Sequence, residues 1–310
     1  MRARQRGVAV ILALLVTALA LLLVSGAFAR QSVLVRSVEQ GRAAVQTRWL
    51  MTGAVDWIRV ILREDARRSA TDHAGEPWAA PLARTRLEGG GGAAAWLSGR
   101  IEDAQSRFNL RNLSGPRGPE LADVAILGRL LTLAGADETL AADLADAVDR
   151  QLRGGEPGVP RLLPALAEEL ALPEGRPREA LSRLLPFVVL LPEPTPVNVN
   201  TASAEVLSAC LANLPLAEAV RLVESRQERH FRDLADLQSR LPGLMLGGDG
   251  SRVSVSSRYF LVRGQVDYRD ASLAHRVLLH REGNGVETIW TREEDALVPV
   301  TGPGSPGAAS

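Results

Sequence analysis

The chain has 310 residues, room on ordinary domain sizes for an anchor and about two compact units. Its 36 basic and 36 acidic side chains cancel, so no bulk charge draws it to nucleic acid or anionic lipid. The single cysteine, Cys210, excludes an internal disulfide, and a hydrophobic share of 46% excludes a largely disordered chain.

Val8 to Ala29 carry no charge. As a helix rising 1.5 Å per residue this run spans roughly 33 Å, about the thickness of a hydrocarbon core. Thirteen of its residues are Val, Leu, Ile or Phe. These contribute on the order of −4 to −8 kcal/mol to insertion, with no charge at the centre to offset them. Arg2, Arg4 and Arg6 precede the run and keep the N-terminus cytoplasmic, with the bulk of the chain across the membrane. A secretory signal cut after Ala27-Phe28-Ala29 is the ordinary alternative. Against it, the apolar region exceeds the usual span of about 7–15 residues. The pattern also continues into an amphipathic helix: Leu34, Val38, Gly41, Val45 and Trp49 follow helical spacing, as do Leu50, Ala54, Trp57 and Ile61. No proline occurs before Asp72, so one long helix is expected, half in the bilayer and half outside.

A short basic leader ending in Gly7 and followed at once by an uncharged helix resembles the leader of type IV pilins and pseudopilins. The resemblance implies cleavage between Gly7 and Val8 by a prepilin peptidase, methylation of Val8 as the new N-terminus, and retention of the helix in the inner membrane as an assembly stem. Most such subunits carry glutamate at the fifth mature position; counted from Val8, that position is Leu12. Its absence is a mark of the largest minor pseudopilin, type II secretion system protein K. The expected stem fails near Ser69 to Pro81, where Gly75, Pro77 and Pro81 interrupt it. Gly89 to Gly92 read as a flexible loop without the strand and lysine of a phosphate site.

Trp96 to Leu113 open with strand-like alternation at Leu97, Ile101 and Asp103 and end in a turn at Asn109 and Asn112. The order Ile101, Asp103, Arg107-Phe108-Asn109-Leu110, Asn112-Leu113 resembles the segment after the stem in the protein K family. From about Glu120 to Leu246 the pattern is helical, and after Val253 strands return, with Asn284-Gly285 as the expected hairpin turn. A strand near Trp96 needs partners, and those after Val253 supply them. The predicted fold is therefore α+β: a pilin-like long N-terminal helix packed on a small antiparallel sheet, with a large inserted α-helical domain. Its expected parts are a leader (1–7), the transmembrane stem (8–29), the periplasmic stem and the first strand or strands (30–113), of which the pattern marks one, the insertion (114–250), the remaining strands (251–295) and a disordered tail (296–310).

Within the insertion, residues 197–241 begin Val197-Asn198-Val199-Asn200-Thr201-Ala202 and resemble a helix-hairpin-helix module. Such modules hold DNA phosphates on the amides of a Gly-x-Gly turn. Here the turn, Ala212 to Leu216, has no glycine and contains Pro215, and Asn198 to Leu241 carry five arginines against six acids. That balance gives no basic footprint, so no nucleic acid partner is expected, although a membrane-tethered DNA-binding protein is the competing reading. Thr201 or Ser203 is the expected helix cap, with Glu205 available for a capping box.

Asp143, Asp146 and Asp149 sit three apart, the spacing of a solvated helix face. Protein K relatives carry a calcium loop of the form Asp-x-Asp followed by Gly-Ala-Glu. The resemblance implies calcium at Asp149 and Glu156, with Asp146 as a third ligand, although Gln151 replaces the second Asp and Ala147 the usual Trp. His73, His230, His275 and His280 form no metal-spaced pair, Cys210 reads as a small core residue, and no catalytic constellation appears. No enzyme is expected. The resemblance implies a minor pseudopilin capping a short periplasmic filament, with other minor pseudopilins, the major pseudopilin and the prepilin peptidase as partners.

Overall fold

The computed structural model describes residues 3–87, 94–115, 118–153, 166–172, 174–242 and 252–294; the side chains of residues 3–11, 27–29 and 32–34 fall outside that description. The expectations for Gly89 to Gly92, for Glu156 and for the tail therefore lie outside the described residues.

Helix α1 runs Ala3–Arg68 without a break. Its end is set by Ser69, whose hydroxyl donates to Thr71 O at 2.7 Å and accepts from Thr71 N at 3.1 Å, turning the backbone away from the helix. Strands β1 (Leu82–Leu87) and β2 (Ala95–Asp103) follow, then the short β3 (Phe108–Asn109). The helical block holds α2 (Leu121–Leu133), α3 (Ala141–Arg153) and α4 (Arg176–Leu184), the short β4 (Val188–Val189) and β5 (Val197–Asn198), then α5 (Ala204–Cys210), α6 (Leu216–Glu228) and α7 (Leu234–Arg240). The chain closes with β6 (Val253–Ser254), β7 (Tyr259–Tyr268), β8 (Ala271–Glu282) and β9 (Gly285–Glu294).

The main sheet has the order β1-β2-β7-β8-β9 and is antiparallel throughout. Strand β2, before the helical block, pairs with β7, after it, from Ala95↔Tyr268 to Asp103↔Phe260. The helices are thus an insertion between two neighbouring strands. Strand β1 is an addition to the expected set: its register shifts between Leu82 and Thr85, which breaks the alternation that would have marked it. The final hairpin also differs by one residue. Glu282 pairs with Gly285, so the turn is Gly283-Asn284, and Gly283 takes the positive φ of 54° that the first central position demands.

Period-two alternation puts Ile101, Phe260, Val262, Val277 and Leu279 on one face, packed on Leu62 of the stem and on Trp78. Met51 meets Leu97, Val266 and Leu273 nearer the sheet's other end. Each fully buried side chain here contributes about 2 kcal/mol of apolar transfer. Gly99 permits the close pairing of β2 with β7, since a Cβ there would lie 2.7 Å from Arg263 O, while a Cβ at Gly264 would meet Met51 Sδ of the stem at 3.7 Å. The opposite face carries Tyr259, Leu261 and Leu278 against Ala104 and Leu191, so the insertion leans on the sheet from the other side. The insertion has its own core, with Phe108, Leu130, Leu184, Leu207 and Phe231 fully buried.

Candidate functional site

The residues singled out in the two sequence motifs converge on one place, the buried joint between the stem–sheet unit and the helical insertion. Asp103, the last residue of β2, is 4% exposed. Its Oδ2 accepts from Asn198 Nδ2 at 2.8 Å, Thr201 Oγ1 at 2.5 Å and Ser257 Oγ at 2.6 Å, and its Oδ1 accepts from Gln105 N at 2.8 Å. Burial pushes its carboxyl up to about 6, against the pull of the Ser257 and Thr201 hydroxyls. Three chain segments far apart in sequence are thereby held by one carboxylate oxygen.

The asparagines do the same work with amides. Asn200 exchanges two hydrogen bonds with Phe231, donating to its carbonyl at 2.9 Å and accepting from its N–H at 2.8 Å, which fixes the α6–α7 loop. Asn109 donates to Glu193 O and accepts from Leu191 N; Asn112 both donates to and accepts from the Thr195 backbone. Thr201 is spent on Asp103, so the cap of α5 is Ser203 alone, accepting from Val206 N at 3.3 Å. Glu205 stands one position short of a capping box.

Beside Asp103 lies an ion cluster that sequence reasoning missed. The carboxylates of Asp65, Asp72 and Glu76 approach within 4.8 Å of one another. Arg281 of β8 already lies against two of them: it donates to Asp65 at 3.0 Å and Asp72 at 2.5 Å, and to the carbonyls of Leu62 and Ser257. Glu76 accepts from Trp78 Nε1 at 2.8 Å and from His73 N at 2.9 Å. The trio is therefore a satisfied buried ion network, not an open coordination shell. Burial, then repulsion from Glu76, pushes Asp65 up to about 6. At the rim His73 and His230 stack, with ring centroids 3.9 Å apart, one from each side of the joint. Burial holds both imidazoles below the ordinary histidine value. His275 and His280 lie on opposite faces of β8, as their spacing implied.

The profile of the family described as "Type II secretion system (T2SS), protein K" matches residues 197–256. The type II secretion system protein K of Pseudomonas aeruginosa (strain PAO1) is 32% identical, over 94% of this chain and 94% of its own length. The chain belongs to the type II secretion system protein K family. It is a minor pseudopilin. The protein K of Pectobacterium carotovorum subsp. carotovorum is 29% identical over 93% of this chain and 96% of its own. Among solved structures, a chain of the GspK-GspI-GspJ complex of the enterotoxigenic Escherichia coli Type 2 Secretion System shares the fold with a TM-score of 0.62. Its identity is 18%, over 84% of this chain and 99% of that one. The matched segment 197–256 is the stretch that brings Asn198, Asn200 and Thr201 to the joint.

In this chain the hairpin between α5 and α6 turns at Asn213, with φ 65°, where a glycine would be at ease. Arg226 donates inward to Val199 O and Arg240 is held by Asp236, so neither is displayed to a phosphate. Cys210 packs beside the insertion core, and burial pushes its thiol up to about 12. Of the calcium candidates, Asp146 is exposed on α3 and Asp149 is bound by Arg153 at 2.5 Å, while Glu156 is outside the described residues. The described residues thus offer two carboxylates on one helix side, one of them already neutralised, and do not by themselves make a calcium site.

Proposed function

We propose that this minor pseudopilin is processed between Gly7 and Val8, stays in the inner membrane by residues 8–29, and caps a periplasmic filament with its helical insertion. Among the described residues no helix is long and apolar enough to cross a membrane, but the side chains described in that run end at Leu12 and Gly26. Within it Leu12, Leu14, Val16, Leu22 and Val24 are exposed around the helix, a surface suited to lipid or to neighbouring stems. The reading is carried above all by the buried joint. It fixes a wide helical body rigidly to a narrow stem, so a further subunit has no clear path to stack above it. No catalytic role is proposed, and no nucleic acid partner.

The GspI and GspJ chains of the E. coli complex support other minor pseudopilins as partners here; the major pseudopilin and prepilin peptidase are proposed from the leader and stem. Co-expression with the two other minor pseudopilins of its own system is expected to yield a complex that survives detergent extraction and gel filtration. Separate elution of all three would count against the assembly. Calcium at Asp146, Asp149 and Glu156 is a further proposal, resting on the resemblance alone. Chelation is expected to lower the melting midpoint by several degrees, and an unchanged midpoint removes the metal from the account.

A further inference from the structure

Four arginines stand opposite one another across neighbouring strands on the face turned from the stem: Arg100 on β2, Arg263 on β7, Arg276 on β8 and Arg292 on β9. Like charges in register repel, and three of the four are offset by carboxylates. Arg100 has Glu102 at 2.5 Å. Arg276 has Glu294, and Glu168 at 3.4 Å. Arg292 has Glu169 at 3.2 Å. Arg263 makes no hydrogen bond and no ion pair among the described residues, and its Nε is buried without a partner. Glu102, the carboxylate acting on it most strongly, is already shared by Arg100 and Arg107. Burial holds the Arg263 guanidinium below the ordinary arginine value. Arg263 is half-buried, its Nε has lost water and gained no anion, and its terminal nitrogens have no anion among the described residues, which makes it the least compensated cation of the four.

Arg263 lines a cavity of about 240 Å³ between this face and residues 185–190 of the insertion. The floor is apolar, formed by Leu261, Leu278 and Trp290. That volume is below the roughly 300 Å³ at which drug-sized pockets begin, and suits a body the size of one apolar residue. A guanidinium fork matches a carboxylate in two parallel hydrogen bonds. Arg107 also lines the cavity but is held by Glu102 at 2.8 Å, and Glu168 is held by Arg276. Arg263 is thus the one lining charge without a counter-ion among the described residues, which favours a monoanion over a dianion such as phosphate.

We propose that this cleft binds a small apolar monocarboxylate, supplied by the C-terminal residue of a polypeptide or by a free acid, with its carboxylate on Arg263 and its apolar body on Leu261, Leu278 and Trp290. The proposal is independent of the filament-capping reading and can fail without it.

The test is ligand-observed NMR on the full chain in detergent with four probes: N-acetyl-leucine, N-acetyl-leucinamide, 3-phenylpropionate and inorganic phosphate. Both acids are expected to bind saturably, the amide about tenfold or more weakly, and phosphate not measurably. Arg263→Gln is expected to weaken acid binding at least about tenfold, and Arg86→Gln, on exposed β1, to leave it unchanged. Arg263→Lys keeps the charge without the fork and should fall between. Tighter binding of N-acetyl-leucine than of 3-phenylpropionate identifies a chain terminus as the source; the reverse order identifies a free acid. Absence of saturable binding of either acid below about 10 mM overturns the proposal. So does equal binding of acid and amide, a comparison that needs no variant and so stands even where Arg263→Gln fails to fold.

Discussion

Replacing Asp103 by alanine is expected to cost about 3 kcal/mol or more, because several buried donors lose their acceptor at about 1–3 kcal/mol each. The Thr201 and Ser257 hydroxyls and the Gln105 amide all point at that carboxylate. For an ordered chain of this size the loss lowers the melting temperature by roughly 10 °C, read by thermal denaturation in detergent. Asp103→Asn should cost less, since its amide oxygen still accepts from the hydroxyls and the buried charge is gone. The remaining loss is the Gln105 N–H, which then faces an NH2 donor. A wild-type melting point in the alanine variant would show that the joint is not a structural keystone.

The same pair of proteins tests the charge. Asp103 has its pKa raised from 3.8 to about 6 by burial. A group raised in the folded state contributes stability that is complete below its unfolded value and lost as pH rises through its folded value. The melting temperature of wild type minus that of Asp103→Asn should therefore fall between pH 4 and pH 7. Taking the difference cancels Asp65, which is raised to about 6, and the opposing loss from His73 and His230, whose values are lowered. A flat difference would mean that the carboxyl titrates normally.

Arg281→Met is the second large effect. It leaves Asp65 and Asp72 without their counter-charge, and breaking a buried pair from one side costs about 3–5 kcal/mol. Methionine retains much of the apolar packing on Phe260, over whose ring the guanidinium lies at 4.6 Å, so the loss reports charge more than volume. Arg281→Lys should recover only part, because an ammonium is a single point and the guanidinium reaches Asp65, Asp72 and two carbonyls at once. Equal stability of the methionine and wild-type proteins would show that the acid cluster is neutral or solvated.

Much of this architecture is legible along the chain because its signals are local. The stem shows itself by an uncharged run and by the absence of proline, and β8 and β9 by alternation around a turn. The inference that the helices are inserted follows from strand bookkeeping alone. What stays hidden is pairing across the insertion. Asp103, Asn198 and Thr201 each stand out as motif residues, yet nothing in their spacing says that they share one hydrogen-bonded centre. Arg281, Asp72 and the His73–His230 stack leave no local trace at all, since each partner comes from a different part of the chain. Strand β1 escapes because a bulge and an exposed edge erase its period. The hairpin slips by one because Gly283-Asn284 and Asn284-Gly285 overlap in sequence and only the backbone φ separates them.

The N-terminal residue of the mature protein, determined by mass spectrometry on membranes of cells carrying the whole secretion system, bears most directly on the pseudopilin mechanism. The expected result is a methylated Val8 on a chain that stays in the membrane fraction. A chain beginning at Arg30 or Gln31 and recovered free in the periplasm would contradict it, because the apolar helix would then be a discarded export signal and not the stem on which the joint is carried.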